Sequence, residues 1–141
     1  MMKLLYIVRE DVLVEKIDGC EAKIYHDAVN GLSGLESDTR VVILDMGIIG
    51  FSGLECLKMI RSNPFNHQIK IIICSRKYNI RLIKQAFSLG ADFFVRLPLE
   101  INEIKFILQD IKKNMKYLEY NDAFKFVNYQ ISSLQNDKIE V

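Results

Sequence analysis

The chain has 141 residues, half of them hydrophobic, and 19 basic against 18 acidic residues give it a formal net charge of +1. That length suits one domain with a real core, and the apolar content argues against extensive disorder. The near balance of charge gives no reason to expect nucleic acid or an anionic membrane as a partner. No apolar run reaches the ~18–20 residues of a spanning helix, and the N-terminus lacks a signal-peptide layout, so a cytoplasmic location is expected. Cys20, Cys56 and Cys74 are an odd set without CxxC spacing, and His26 and His67 have no partner at ligand spacing. Reduced, mostly buried thiols and structural histidines are expected.

Taken in order, Lys3–Val8 is an apolar run that reads as a first buried strand, ending in Arg9-Glu10-Asp11. Val12–Ile17 is read as one or two helical turns, stopped by Asp18-Gly19. Glu21–His26 alternates and predicts a second, more exposed strand. Ala28–Leu35 predicts a short helix with Val29, Leu32 and Leu35 on its apolar face. Val41–Leu44, three of its four residues β-branched, is a third strand buried on both faces. It runs straight into the lone acid Asp45 and a glycine-punctuated loop through Gly53. A carboxylate there lies at the carboxyl edge of the sheet, where open α/β folds do their chemistry.

From Gly53 the pattern turns helical, with Leu54, Leu57 and Ile60 on one face, Lys58 and Arg61 opposite, and Asn63-Pro64 as the stop. Ile69–Cys74 is the fourth strand, leading to Ser75-Arg76. Asn79 caps a helix with the stripe Ile80, Ile83, Ala86, Phe87 and Leu89, closed by Gly90. Ala91–Val95 is the fifth strand. Glu100 opens a longer helix with Ile101, Ile104, Leu108, Ile111, Met115 and Leu118 on one face. Strands alternating with helices across short loops predict a three-layer, doubly wound α/β fold of flavodoxin-like class around a five-stranded parallel sheet. Fold class alone does not give function.

Several of these segments together resemble the receiver domain of bacterial two-component response regulators. In that family the third strand ends in a phospho-accepting Asp, followed by a loop commonly reading Met-Pro-x-x-Asp/Ser-Gly. Asp45 takes the acceptor position, Ile48-Ile49 the Met-Pro, and Ser52-Gly53 the end of the loop. Ile71-Ile72-Ile73-Cys74-Ser75 resembles the fourth strand with its Ser/Thr switch residue, and Gly90-Ala91-Asp92-Phe93-Phe94 the entry to the fifth, with Phe94 at the aromatic switch position. Leu97-Pro98 falls on the family's Lys-Pro, whose peptide bond is expected to be cis. The resemblance covers residues 3 to about 113 and implies domains at 1–113, receiver-like, and 114–141, a helical C-terminal extension or linker.

The departures carry equal information. Receivers place two acids after the first strand to hold Mg2+ beside the acceptor; here Arg9 and Glu10 occupy those positions, or Glu10 and Asp11 with a slip of one. The phosphoryl-contacting Lys is Leu97, and the small residue after the Ser/Thr is Arg76. Phosphoryl transfer to a carboxylate is largely positioning and charge neutralisation. Arg9 repels Mg2+ from a set formed by Glu10, Asp11 and Asp45, and Leu97 removes a fixed cation. Arg9 either pairs with Asp45 or Glu10 in place of the metal, or faces solvent.

Two readings follow. One is a non-enzymatic pseudo-receiver that acts through protein–protein contacts, with a degenerate site. The other is a working phospho-acceptor, modified at Asp45 by a histidine kinase. An enzyme or flavin-binding reading needs a phosphate-cradling loop after the first strand, which Arg9-Glu10-Asp11-Val12 does not supply. Expected partners are a histidine kinase or a fused or separate output domain. Arg81, Lys84, Arg96 and Lys105 form a basic set on the face such partners commonly use.

Beyond residue 113, Tyr117, Tyr120, Phe124, Val127, Ile131 and Leu134 repeat at three and four. They form either a continuation of the last helix with a phase break near Leu118 or a separate helix capped by Asn121. A stripe of this kind packs on its own domain, on a second copy as a homodimer, or on an output domain.

Overall fold

The computed structural model describes residues 1–116. Its strands are β1 (Met2–Ile7), β2 (Cys20–Tyr25), β3 (Thr39–Asp45), β4 (Lys70–Ser75) and β5 (Phe93–Arg96). The helices are α1 (Ala28–Ser33), α2 (Gly53–Ser62), α3 (Ile80–Ser88) and α4 (Ile101–Lys116), with a 3-10 turn at Pro64–Asn66. All strand pairs are parallel and the order is β2-β1-β3-β4-β5, the expected doubly wound α/β sheet. The predicted strands fall within a residue or two of the observed ones; β1, β3 and β4 are apolar runs buried on both faces, whereas the edge strand β2 is largely exposed.

The pleat divides the core. Leu5, Ile7, Val42, Leu44, Ile71 and Ile73 face α1, α2 and α3. Leu4, Tyr6, Val8, Val41, Ile43, Ile72 and Cys74 face α4, which buries Ile104, Ile107, Leu108 and Ile111 against them. Asn79 caps α3 by accepting from the Leu82 N–H, and Gly90 (φ 109°) closes it in a left-handed conformation. The Leu97–Pro98 bond is cis.

Four expectations need correction. Val12–Ile17 forms no helix; residues 8–19 run as an irregular strap. Val12 and Ile17 are both buried in it while Leu13 is 85% exposed. Residues five apart lie roughly 140° apart around a helix, so one helical face cannot bury both. Secondly, Val29 is exposed; α1 meets the sheet through Ala28 and Gly31, where a Cβ would lie 2.7 Å from Ile7 Cγ1. Glycine buys the helix its close approach there.

Arg61 is not on a solvent face. Its Nε donates to Gly90 O (2.9 Å), Nη1 to Asn66 O (2.9 Å) and Nη2 to Asp92 Oδ2 (2.9 Å). Finally, Lys105 does not join Arg81, Lys84 and Arg96; it lines a cavity beside Met1, Met2 and Cys20. Of the predicted α4 stripe and the apolar repeat beyond it, Met115, Leu118 and residues 117–134 lie outside the described side chains.

Candidate functional site at the carboxyl edge of the sheet

Strand β3 delivers Asp45 to the edge with its side chain 2% exposed. Two backbone donors hold the carboxylate: Gly47 N–H to Oδ1 (2.8 Å) and Arg9 N–H to Oδ2 (3.2 Å). The loop behind it is anchored by Met46 N–H to Cys74 O (2.9 Å), Ile48 N–H to Asp45 O (3.2 Å) and Ala28 N–H to Ile49 O (2.9 Å). The sequence nominated Asp45 but gave no sign of the Gly47 amide, since backbone donors carry no residue signature.

Arg9 crosses this edge. Its Nε is 3.7 Å from Asp45 Oδ2 and 3.7 Å from Asp11 Oδ1. Those distances are ion pairing without a hydrogen bond, and Nε is buried with no hydrogen-bond partner. Asp11 in turn accepts a hydrogen bond from Arg76 Nη2. Charges therefore alternate from Asp45 through Arg9 and Asp11 to Arg76. Glu10 is exposed on the turn. Among the described residues no three His, Cys, Asp or Glu side chains converge as a metal site, so Glu10, Asp11 and Asp45 do not form one cluster.

The other nominated residues lie close by. Ser75 is buried at the end of β4, and its Oγ accepts from the Lys77 N–H (3.2 Å). Leu97 is buried in the α4-facing core with Val8 and Val12, and its N–H donates to Ser75 O (3.0 Å). Phe94 is buried and meets Tyr78 edge-on (centroids 5.9 Å apart), while the Arg96 guanidinium sits 5.7 Å from the Tyr78 ring centre. Tyr78 is a member of this group that sequence reasoning missed; it lies between β4 and α3, where periodicity is silent. Cys74 pairs in register with Asp45, and burial together with that carboxylate's charge pushes its thiol well above the usual range.

Residues 9–109 match the family model for the response regulator receiver domain. This chain belongs to the response regulator receiver family. The sporulation initiation phosphotransferase F of Bacillus subtilis (strain 168) is 31% identical over 98 residues, 67% of this chain and 77% of that protein. The response regulator ARR7 of Arabidopsis thaliana is 26% identical over 89 residues, 62% of this chain and 43% of its own length. Among solved structures, the signal receiver domain of a Luxo repressor protein from Vibrio parahaemolyticus superposes with a TM-score of 0.70 at 16% identity, covering 84% of this chain and 95% of that one. A CheY-like receiver domain from Methanospirillum hungatei JF-1 gives 0.66 at 20% identity over 82% and 98%.

The chain is thus a receiver domain of two-component signalling, a class of regulatory module that works with histidine kinases and output domains and typically binds Mg2+ at its phosphorylation site. No helix among the described residues is long and apolar enough to cross a membrane.

Proposed function

We propose that this receiver is a non-enzymatic pseudo-receiver, working in the cytoplasm through protein–protein contacts, in which Arg9 takes the place of the metal and holds Asp45 permanently neutralised. The observation that carries this reading is the Arg9 guanidinium, whose Nε lies 3.7 Å from both Asp45 and Asp11. Mg2+ wants an octahedron of oxygen ligands. A fixed cation between the two nearest carboxylates, one of them already engaged by Arg76, does not fit that demand. The buried Leu97 offers no charge to a phosphoryl group at the same edge.

Asp45 keeps an acceptor's location and two backbone donors, and Ser75, Tyr78 and Phe94 keep the elements of a switch beside it. What the donors now hold is a carboxylate already paired. The domain is accordingly read by its partners in one state, and a histidine kinase or output domain binds it without phosphoryl transfer.

Titration of the protein with beryllofluoride in the presence of Mg2+, followed through the amide resonances of Gly47, Ser75 and Lys77, tests this. No change is expected at millimolar reagent. A tight response that disappears in Asp45→Ala would sink the reading and favour a working phospho-acceptor.

A further inference from the structure

Strand β2 is an edge of the sheet. Among the described strands it pairs with β1 alone; Glu21, Ala22 and Lys23 are exposed on it, and Ile24 is 43% exposed. The ladder to β1 fixes which backbone groups are already used. Met2 N–H donates to Gly19 O (3.1 Å) and Val8 N–H to Tyr25 O (3.0 Å). In the register between those bonds, Glu21 and Lys23 also turn their N–H and C=O towards β1. Cys20, Ala22 and Ile24 therefore turn theirs outward. The Cys20 N–H donates to Ile17 O (3.2 Å), but among the described residues no hydrogen bond meets the outward groups of Ala22 and Ile24. Such a row is a template for another strand unless charge, proline or a covering element prevents it.

We infer that a second copy of this chain docks here, β2 against β2, antiparallel about a two-fold axis at Ala22. In that register the two Ala22 residues exchange both backbone hydrogen bonds, and each Ile24 N–H donates to Cys20 O of the other copy. Glu21 stands opposite Lys23 on both sides of the axis, in the closer of the two kinds of antiparallel pair. Lysine on an edge strand normally repels a second strand, but here it meets an acid. Lys23 already pairs with Glu36 of its own chain, so the second acid extends an existing charge network. A slip of two residues, the smallest that keeps donors opposite acceptors, sets Glu21 opposite Glu21 or Lys23 opposite Lys23. Charge thus selects one register, and that register is self-complementary, as a closed two-fold dimer requires. On the opposite face Cys20 meets Ile24 and Ala22 meets Ala22, which removes exposed apolar surface from water. The inference stands apart from the state of Asp45, because β1 separates β2 from β3.

Sedimentation equilibrium of the full chain should show the mass rising from monomer to dimer with concentration. Hydrogen exchange of the Ala22 and Ile24 amides should slow at least about tenfold in the dimer. Ala22→Pro removes an outward N–H but no bond of the β1–β2 ladder, and should weaken the dimer at least about tenfold. Glu21→Lys chains and Lys23→Glu chains should each stay monomeric where the native chain is dimeric. Mixing the two should restore the dimer, because opposite charges then meet across the axis. Both side chains are exposed, so this pair decides the matter if the proline variant fails to fold. A native chain that stays monomeric up to about millimolar concentration overturns the inference. So does a dimer that the substitutions leave unchanged, since another surface would then hold it, and so does a mixture that stays monomeric.

Discussion

Replacing Arg9 with Asp and Leu97 with Lys together is expected to raise Mg2+-dependent phosphorylation of Asp45 by a small phosphodonor at least ~10²-fold over the native chain. The first change removes the guanidinium lying 3.7 Å from Asp45 and Asp11 and puts an oxygen ligand at the same edge. The hard metal then has carboxylates rather than a cation to meet. The second adds a charge beside the acceptor. Leu97 is buried against Val8 and Val12, and a lysine stem can keep that packing while its ammonium reaches the edge. Loss of a single preorganised electrostatic partner typically costs ~10²–10³ in rate, so restoring two should be readily measured. Arg9→Asp alone crowds like charges, and its thermal midpoint should fall without Mg2+ and recover with it. A folded double variant that gains no Mg2+-dependent labelling would show that Arg9 and Leu97 are not what limits the site.

Asp92→Ala should cost roughly 3 kcal/mol of stability in urea unfolding, the largest loss expected from a single polar change. Asp92 Oδ2 accepts from Arg61 Nη2 (2.9 Å) and from the Ile71 N–H (2.8 Å), with Lys70 Nζ 3.9 Å from Oδ1. Alanine leaves an amide at a fully buried strand position without an acceptor and a mostly buried guanidinium without its counter-charge. The charges themselves contribute less than their proximity suggests. Burial raises the Asp92 carboxyl against the pull of Lys70, the Ile71 amide and Arg61, and burial also lowers Arg61. A carboxyl raised in the folded state favours folding when protonated, so its charge gives up stability as pH rises through that window. The hydrogen bonds therefore carry most of the effect. Asp92→Asn, which keeps an acceptor for Ile71, should lose less than half as much, and equal losses in the two variants would refute this division.

The parts of this fold legible in sequence are those fixed by local chemistry. Val41–Leu44 and the Ile71–Cys74 run, β-branched and bounded by turn signals, read as two-sided buried strands, Asn79 is a side-chain cap, and Asp45 stands out as the lone acid where an apolar run stops. Long-range geometry was hidden. Val12 and Ile17 satisfy burial through an extended strap, a solution periodicity does not describe. Arg61 carries a helical-surface pattern, yet its partners Gly90 and Asp92 lie 29 and 31 residues away. At the site, the resemblance to receivers exposed the departures Arg9 and Leu97 but left Arg9 free to face solvent. Only the fold sets it between Asp45 and Asp11, and only the fold brings Arg76 onto Asp11 from 65 residues away. Tyr78 was silent for the same reason: its role is a contact with Phe94 across a loop.

The most direct test of a switch set by Arg9 is the intact mass of the native protein after incubation with Mg2+ and acetyl phosphate. The expected spectrum shows the unmodified chain alone. A stoichiometric gain of one phosphoryl group, lost in Asp45→Ala, would contradict it.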